Sequence, residues 1–305
     1  MDKIAIIIVH YNTDDDTRET LASLAKLRAE NLEVRIFVVD NASREPLVLN
    51  QSDRMYKDVR LIRSDANLGF SGGNNLGFET ASREFEPDYF LLLNSDTLVD
   101  PDFLGNLYKS LSVHPRWGAV SPKIYFAPGC EFHQDAYKSR QRGQVIWFAG
   151  GSIDWDNLLT VHCGVDELDR GQFSQARTLD FASGCCLLIR REVLASAGVF
   201  DDRYFLYYED TDLCERIKNQ GFQIGFEPQA VIWHKNGGST AGSGSDLQTF
   251  YQTRNRLLFF ASYGDLWVKQ RVWRFAWRLW CHGSRVEKLA VRAFWQRHFG
   301  KQVAI

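Results

Sequence analysis

The stretch "YFLLLNSDTLVDPDFL", residues 89–104, decides the fold. Phe90, Leu91, Leu92 and Leu93 form an unbroken apolar run that stops on Asn94, Ser95 and Asp96. Alternation would mark a strand with one wet face. An unbroken run marks a strand covered on both faces, as in parallel sheets flanked by helices. Similar runs occur at 4–9 ("IAIIIV"), 34–40 ("VRIFVVD") and 59–64 ("VRLIRS"), separated by helix-like segments such as 15–29 and 73–84. This alternation predicts an α/β chain with a mostly parallel central sheet. In such open sheets ligands bind beyond the carboxyl ends of the strands. Here those ends are all polar: His10, Tyr11 and Asn12; Asp40 and Asn41; 67–75; and 94–96.

A chain of 305 residues, 45% hydrophobic and 24% charged, can bury a full core as one large domain, or one with an appendage. Its apolar runs are far shorter than the roughly 20 residues needed to span a bilayer, and the first residues do not resemble a basic, cleavable signal. A cytosolic protein is expected. The six cysteines form no CxxC pairs, which argues against a structural zinc site and for reduced thiols.

Each polar strand end has a structural and a functional reading. Asp40, in "VVDNAS", either starts a turn or accepts hydrogen bonds from a base or ribose. "NLGFSGGNN" lacks the Lys and Ser/Thr of a P-loop. It is a flexible turn before a helix, or a place where Gly72 and Gly73 admit a nucleotide to the backbone while Asn74 adds polar contacts. Asn94 and Asp96, two apart at a strand end, point the same way if the chain stays extended, and can hold a divalent cation already neutralised by a diphosphate. Glu209, Asp210 and Asp212 crowd the start of an amphipathic helix, where one acid suffices as a cap and another can serve as a general base. His234 closes a strand ahead of a Gly-Gly-Ser-Thr loop suited to phosphates, and its imidazole is either structural or a metal ligand.

The C-terminal stretch has a different character. Between residues 265 and 301 nine Lys/Arg face two acids, a local charge of +7 in a chain whose net charge is −2, and five of the nine tryptophans lie beyond residue 266. Arg271, Arg274 and Arg278 share one helical face. The segment reads either as a helix docked with a solvated basic stripe or as one lying at an anionic bilayer surface. No RNA- or DNA-binding module accompanies it, so nucleic acid is not expected as a partner.

Taken in order, "IIIVHYN", "VVDNAS", "NLGFSGGNN", "LLLNSD", "ASGCCLLIRR", "GVFDDRYFLYYEDTDLCERI", "WHKNGGST" and "YQTRNRLLFF" resemble the family 2 glycosyltransferases, in particular their rhamnosyltransferase-like branch, over about residues 3–260. The resemblance implies a GT-A fold and inverting transfer of a sugar, with Mg2+ or Mn2+ as cofactor. The implied donor is a nucleotide diphosphate sugar, a dTDP-deoxyhexose such as rhamnose being favoured over a UDP-sugar. The implied acceptor is a glycan or polyprenyl-linked hydroxyl in cell-surface polysaccharide synthesis, reached from the inner face of the cell membrane. Carried onto this chain, Asp210 is the catalytic base, Asp96 and His234 are the metal ligands, and Asn94 stands where the fullest form of the DxD motif has its first aspartate. His10, Tyr11, Asn12, Asp40, Gly73, Asn74 and Ser95 fall to the nucleotide. Lys235, Ser239, Thr240 and Arg254 fall to the diphosphate, and Gly184 and Glu209 to the acceptor. The catalytic domain is expected over 1–244, with a nucleotide-sugar half (1–122) and an acceptor half (123–244), followed by a helical extension (245–305). A noncatalytic nucleotide-sugar or glycan-binding protein on the same scaffold is the alternative. A nucleotidyltransferase is disfavoured, because "VHYNTDDD" lacks the Gly-, Arg- and Lys-containing loop that handles a triphosphate.

Overall fold

The computed structural model describes residues 1–50, 56–236 and 245–302. In chain order the elements are β1 (Asp2–His10), α1 (Asp14–Leu24), β2 (Leu32–Asp40), β3 (Val59–Arg63), α2 (Gly69–Glu84), β4 (Tyr89–Leu93), β5 (Thr97–Val99), α3 (Phe103–Val113) and β6 (Trp117–Phe126). Then follow β7 (Ile146–Phe148), β8 (Gly151–Asp154), β9 (Leu159–His162), β10 (Arg177–Leu179), β11 (Cys186–Arg190), α4 (Arg191–Ala197), α5 (Glu209–Asn219) and β12 (Gln223–His234). Three helices close the chain: α6 (Asp246–Tyr263), α7 (Leu266–His282) and α8 (Arg285–Trp295).

One large sheet runs in the order β10-β12-β6-β11-β4-β1-β2-β3, with β5 added to β12 and β7 to β6. The half made by β3, β2, β1 and β4 is wholly parallel. Beyond β4 the sheet is mixed: β11 runs antiparallel to both β4 and β6, whereas β6 and β12 are parallel. The unbroken apolar runs have the predicted consequence. Ile4, Ala5, Ile6, Ile7 and Ile8 of β1 and Leu91 and Leu92 of β4 are fully buried, each large side chain contributing about 1.5–3 kcal/mol.

The glycine-rich 67–75 stretch differs from the expectation of a flexible turn, because α2 already begins at Gly69. Its opening backbone amides are taken by a distant carbonyl: Phe70 N–H and Ser71 N–H both donate to Phe205 O, at 2.8 and 3.4 Å. Gly69 adopts φ +73°, and a Cβ there would lie 2.3 Å from that carbonyl. Gly73 and Gly77 let the helix settle on β1, since added Cβ atoms would strike Val9 at 2.9 Å and Ile7 at 2.4 Å. These glycines serve close helix-to-strand packing.

The C-terminal helices share the main core. Leu257 to Phe260 of α6, Val268, Val272 and Ala276 of α7 and Phe294 of α8 join the same buried apolar cluster as the sheet. The face of α7 turned away from that core carries Trp267, Trp273 and Trp277, exposed at 72%, 58% and 63%. No helix among the described residues is long and apolar enough to cross a membrane.

Candidate active site

The carboxyl ends of β1 and β2 lie side by side, with His10 in register with Asp40. Asn12 (φ 55°) fastens the two loops that follow: its N–H donates to Ser43 Oγ and its Oδ1 accepts from Arg44 N–H. Beyond them opens a cleft of about 610 Å3 lined by Asn12, Thr13, Asp14, Asp15, Asp16, Arg44 and Glu45. Tyr11 is half-buried and is not among the residues lining this cleft. His10 is fully buried, with Nδ1 2.8 Å from Thr17 Oγ1 and Nε2 3.3 Å from Asp14 Oδ1. Burial lowers its pKa, opposed by the charges of Asp40 and Asp14.

Asp40 is more occupied than a free nucleotide contact would be. Oδ1 accepts from Ser43 N–H at 2.9 Å, and Oδ2 accepts from Leu47 N–H at 3.1 Å and from Arg63. Burial pushes its pKa up, but these hydrogen bonds and the Arg63 charge outweigh it and hold the carboxyl below its ordinary range. In this arrangement Asp40 anchors the turn that shapes the cleft. Gly73 and Asn74 require a plain correction. Gly73 faces Val9, and Asn74, 2% exposed, donates from Nδ2 to Phe70 O within its own helix, so neither is offered to a nucleotide.

The polar end of β4 is tightly organised. Asn94 N–H donates to Cys185 O, Thr97 Oγ1 donates to Asn94 O, and Thr20 Oγ1 donates to the carbonyls of Ser95 and Thr97. Ser95 is buried, its hydroxyl 3.3 Å from Thr13 Oγ1. After this turn the chain pairs as β5 with the end of β12, placing Thr97 opposite His234. Asp96 Oδ1 therefore lies 3.1 Å from His234 Nε2, and Asn94 Nδ2 lies 3.4 Å from the same nitrogen. Among the described residues buried His234 Nδ1 has no hydrogen-bond partner, and Trp147 packs edge-on at 4.5 Å between ring centres.

A carboxylate oxygen beside an imidazole nitrogen is a donor pair suited to a divalent transition ion such as Mn2+. Among the described residues no group of three or more His, Cys, Asp or Glu could enclose a metal. The pair therefore fits an ion that draws its remaining oxygens from substrate phosphates and water.

Asp210, the second residue of α5, reaches across to the segment just ahead of β11. Its Oδ2 accepts from Gly184 N–H at 3.0 Å, while Oδ1 accepts from Thr211 N–H at 2.7 Å and Thr211 Oγ1 at 3.2 Å. Burial raises its pKa, and these hydrogen bonds temper the rise. The next residue after Gly184, Cys185, holds Asn94 through its carbonyl, and its thiol feels the charges of both Asp96 and Asp210. The Gly184–Cys185 segment just ahead of β11 thus joins the Asp210 end of the site to the Asp96–His234 end. A Cβ at Gly184 would lie 3.0 Å from the Phe70 ring and 3.5 Å from Asp210 Cβ. Glu209 is 5% exposed and its Oε2 has no partner among the described residues; burial, then the neighbouring Asp210 charge, raises its pKa well above the usual range.

Two residues expected at the diphosphate are committed elsewhere. Lys235 donates from Nζ to Asp16 Oδ1 and Glu19 Oε2, each at 2.7 Å, so its ammonium is spent on α1. Arg254 is fully buried and donates to the carbonyls of Gly300, Arg203 and Tyr204. With its donors enclosed this way it is a structural cation, and the diphosphate assignment is withdrawn. Ser239 and Thr240 lie outside the described residues. Sequence reasoning missed Asn255, which donates to the carbonyls of Tyr204, Leu206 and Tyr207; its place beside Arg254 in "YQTRNR" was the available signal.

With the site described, the class follows. Residues 5–198 match the family model "Glycosyl transferase family 2", and the chain belongs to that family. Its fold is GT-A. Among curated proteins it is 30% identical over 253 residues to the N-acetylglucosaminyl-diphospho-decaprenol L-rhamnosyltransferase of Mycobacterium tuberculosis, covering 78% of each chain. It is 24% identical to the low-salt glycan biosynthesis hexosyltransferase Agl10 of Haloferax volcanii, covering 85% of this chain and 75% of that one. Rhamnosyltransferase WbbL of Escherichia coli is 26% identical, with coverage of 74% and 80%. Two solved structures share the fold. They are GalNAc-T7 with UDP, GalNAc and Mn2+ (TM-score 0.64, 16% identity, 99% of this chain and 55% of that one) and the mannosyltransferase PcManGT of Pyrobaculum calidifontis with GDP-Man and Mn2+ (TM-score 0.53, 15% identity, 97% and 80%). The chain thus spans about half of the GalNAc-T7 chain it matches.

Proposed function

We propose that the protein is an inverting sugar transferase that moves a deoxyhexose, with L-rhamnose favoured, from a nucleotide diphosphate to a hydroxyl of a lipid-linked or glycan acceptor. The observation that carries this reading is the hydrogen-bonded chain from Asp210 through Gly184 and Cys185 to Asn94, beside Asp96 and His234. On this reading a proton acceptor and a donor pair for a divalent ion would stand at the two ends of one short stretch just ahead of β11. Asp96 and His234 would hold the ion, which when bound neutralises charge on the departing diphosphate. Asp210, held by Gly184 and Thr211, takes the proton from the acceptor hydroxyl as that oxygen attacks the sugar. Its raised pKa makes it a stronger base than a solvated carboxylate. The cleft beyond β1 and β2 is the proposed nucleotide pocket. Residues 1–244 form the proposed catalytic unit, with 1–122 serving the donor and 123–244 the acceptor.

The M. tuberculosis relative, by its name, acts on a diphospho-decaprenol. For the present chain a lipid-linked acceptor would agree with the exposed Trp267, Trp273 and Trp277 and the local charge of +7, which suit the surface of an anionic bilayer. The site would then work at the inner face of the cell membrane. The test is a panel of dTDP-, UDP- and GDP-sugars with a polyprenyl diphosphate sugar as acceptor, with and without Mg2+ or Mn2+, reading release of nucleoside diphosphate. Turnover of dTDP-rhamnose that is lost in Asp210→Asn supports the reading. Donor binding without turnover for any sugar would leave a noncatalytic binding protein. Flotation with anionic liposomes tests the surface: recovery with the vesicles, lost when Trp267, Trp273 and Trp277 become Ser, is expected, and equal recovery of both forms in the soluble fraction refutes it.

A further inference from the structure

The four residues 205–208, "FLYY", lead straight into Asp210, and three of them, Phe205 (φ 61°), Tyr207 (φ 68°) and Tyr208 (φ 70°), are left-handed. Bulky L-residues rarely adopt that region, and then only where surrounding contacts over-determine it. Here the contacts come from one dipeptide of α6. Asn255 Nδ2 donates to Tyr204 O at 2.8 Å, Leu206 O at 2.8 Å and Tyr207 O at 2.9 Å. Arg254 Nη2 donates to Arg203 O at 3.0 Å and Tyr204 O at 3.1 Å, and its Nε donates to Asn255 Oδ1 at 2.9 Å, locking the amide's orientation. Both side chains are fully buried. The guanidinium lies 4.9 Å from the Tyr251 ring centre and 5.6 Å from that of Phe250.

The loop is gripped from its other side as well, because Phe205 O receives the first amides of α2. Its last member continues into the catalytic helix: Tyr208 is the residue before α5, and its carbonyl accepts Asp212 N–H at 2.9 Å. The orientation of the first turn of α5, and with it the Asp210–Gly184 hydrogen bond, is thus set by a turn that ordinary backbone preferences oppose. Arg254 also donates to Gly300 O at 2.7 Å, and Gly300 N–H donates to Arg203 O at 2.7 Å, so the end of the C-terminal extension closes the same grip.

We propose that Arg254 and Asn255 are positioning residues for sugar transfer, fixing through the carbonyls of residues 203–207 the left-handed turn that presents Asp210. The proposal rests on the reading of Asp210 as the proton acceptor. It assigns the pair no contact with substrate, which predicts a separation between binding and turnover. Asn255→Asp removes the donating amide, and Arg254→Lys keeps the charge but cannot span two sets of carbonyls. In the full chain each is expected to lower kcat at least 30-fold, to leave KM for the nucleotide sugar and Kd for nucleoside diphosphate with Mn2+ within about twofold, and to displace the acidic limb of the kcat–pH profile. Adding Tyr207→Gly to Arg254→Lys removes the cost of a left-handed residue and is expected to recover at least fivefold in kcat.

A kcat within threefold of wild type in both single variants overturns the proposal, as does a parallel loss of nucleoside diphosphate binding and turnover in Arg254→Lys with no recovery on adding Tyr207→Gly. Asp210→Asn in the same assay separates the two levels. Near wild-type turnover there removes the base assignment itself. An inactive Asp210→Asn beside fully active clamp variants removes only the clamp.

Discussion

Glu209 offers the sharpest physical test, because a buried carboxyl with an oxygen unpartnered among the described residues must cost stability when it ionises. Burial, followed by the adjacent Asp210 charge, raises its pKa well above the ordinary value. In the unfolded chain the same group titrates near its usual value of about 4.3. Between these two pKa values the native state binds one proton more than the unfolded state, so stability falls as pH rises. The slope from this group alone approaches about 1.4 kcal/mol per pH unit inside that window. Glu209→Gln keeps the shape and removes the ionisation. Urea unfolding of both proteins at several pH values from 5 to 8 should give similar stabilities at the acidic end and a growing advantage for the variant towards pH 8. The comparison cancels the contribution of most other titrating groups. A stability difference that stays constant over that range would show that Glu209 already ionises freely in the native state, and the burial argument would fail.

Other consequences can be checked directly. Because burial raises the pKa of Asp210, kcat should fall as pH drops through a value above the normal carboxylate range, and Asp210→Asn should abolish turnover rather than shift that limb. An alanine at Asp96 should weaken Mn2+-dependent binding of nucleoside diphosphate at least tenfold by calorimetry while leaving the melting temperature of the metal-free protein within a few degrees; unchanged affinity would exclude Asp96 as a ligand. Gly225→Ala places a Cβ 2.0 Å from Trp117 within paired strands, and a loss of about 1–3 kcal/mol in urea unfolding is expected, an unaltered midpoint contradicting the packing.

What the sequence reveals follows the range of each interaction. The unbroken runs at 4–9 and 89–94 lead directly to buried strands, and their polar ends to the candidate site, because strand burial and strand termination are written locally. Asp96 and His234 are 138 residues apart, and only the family resemblance links them before β5 is seen to pair with β12. Local reading fails where a distant backbone group decides. The start of α2 is hidden because its amides are met by Phe205 O, and Gly73 looks like a loop residue until Val9 is found beneath it. Arg254 misleads for the same reason: an arginine suggests an anion, whereas this one is surrounded by carbonyls and aromatic rings. Asp40 shows the opposite case, in which the ordinary turn-forming role of an aspartate accounts for its observed hydrogen bonds.

The three-residue strand β5 has a further implication. By docking residues 97–99 onto the last residues of β12, it closes the Asp96–His234 end of the site like a clasp, and the intervening chain leaves and returns through fixed attachment points. The β8–β9 hairpin lies on that intervening chain; its strands pair with one another, and its turn is held by α6, where Arg256 donates to the carbonyls of Asn157 and Leu158 and Trp155 packs on Phe259 and Phe260. The clasp can therefore pass unaltered between lineages, whereas any change in the length of this hairpin has to preserve its seat on α6.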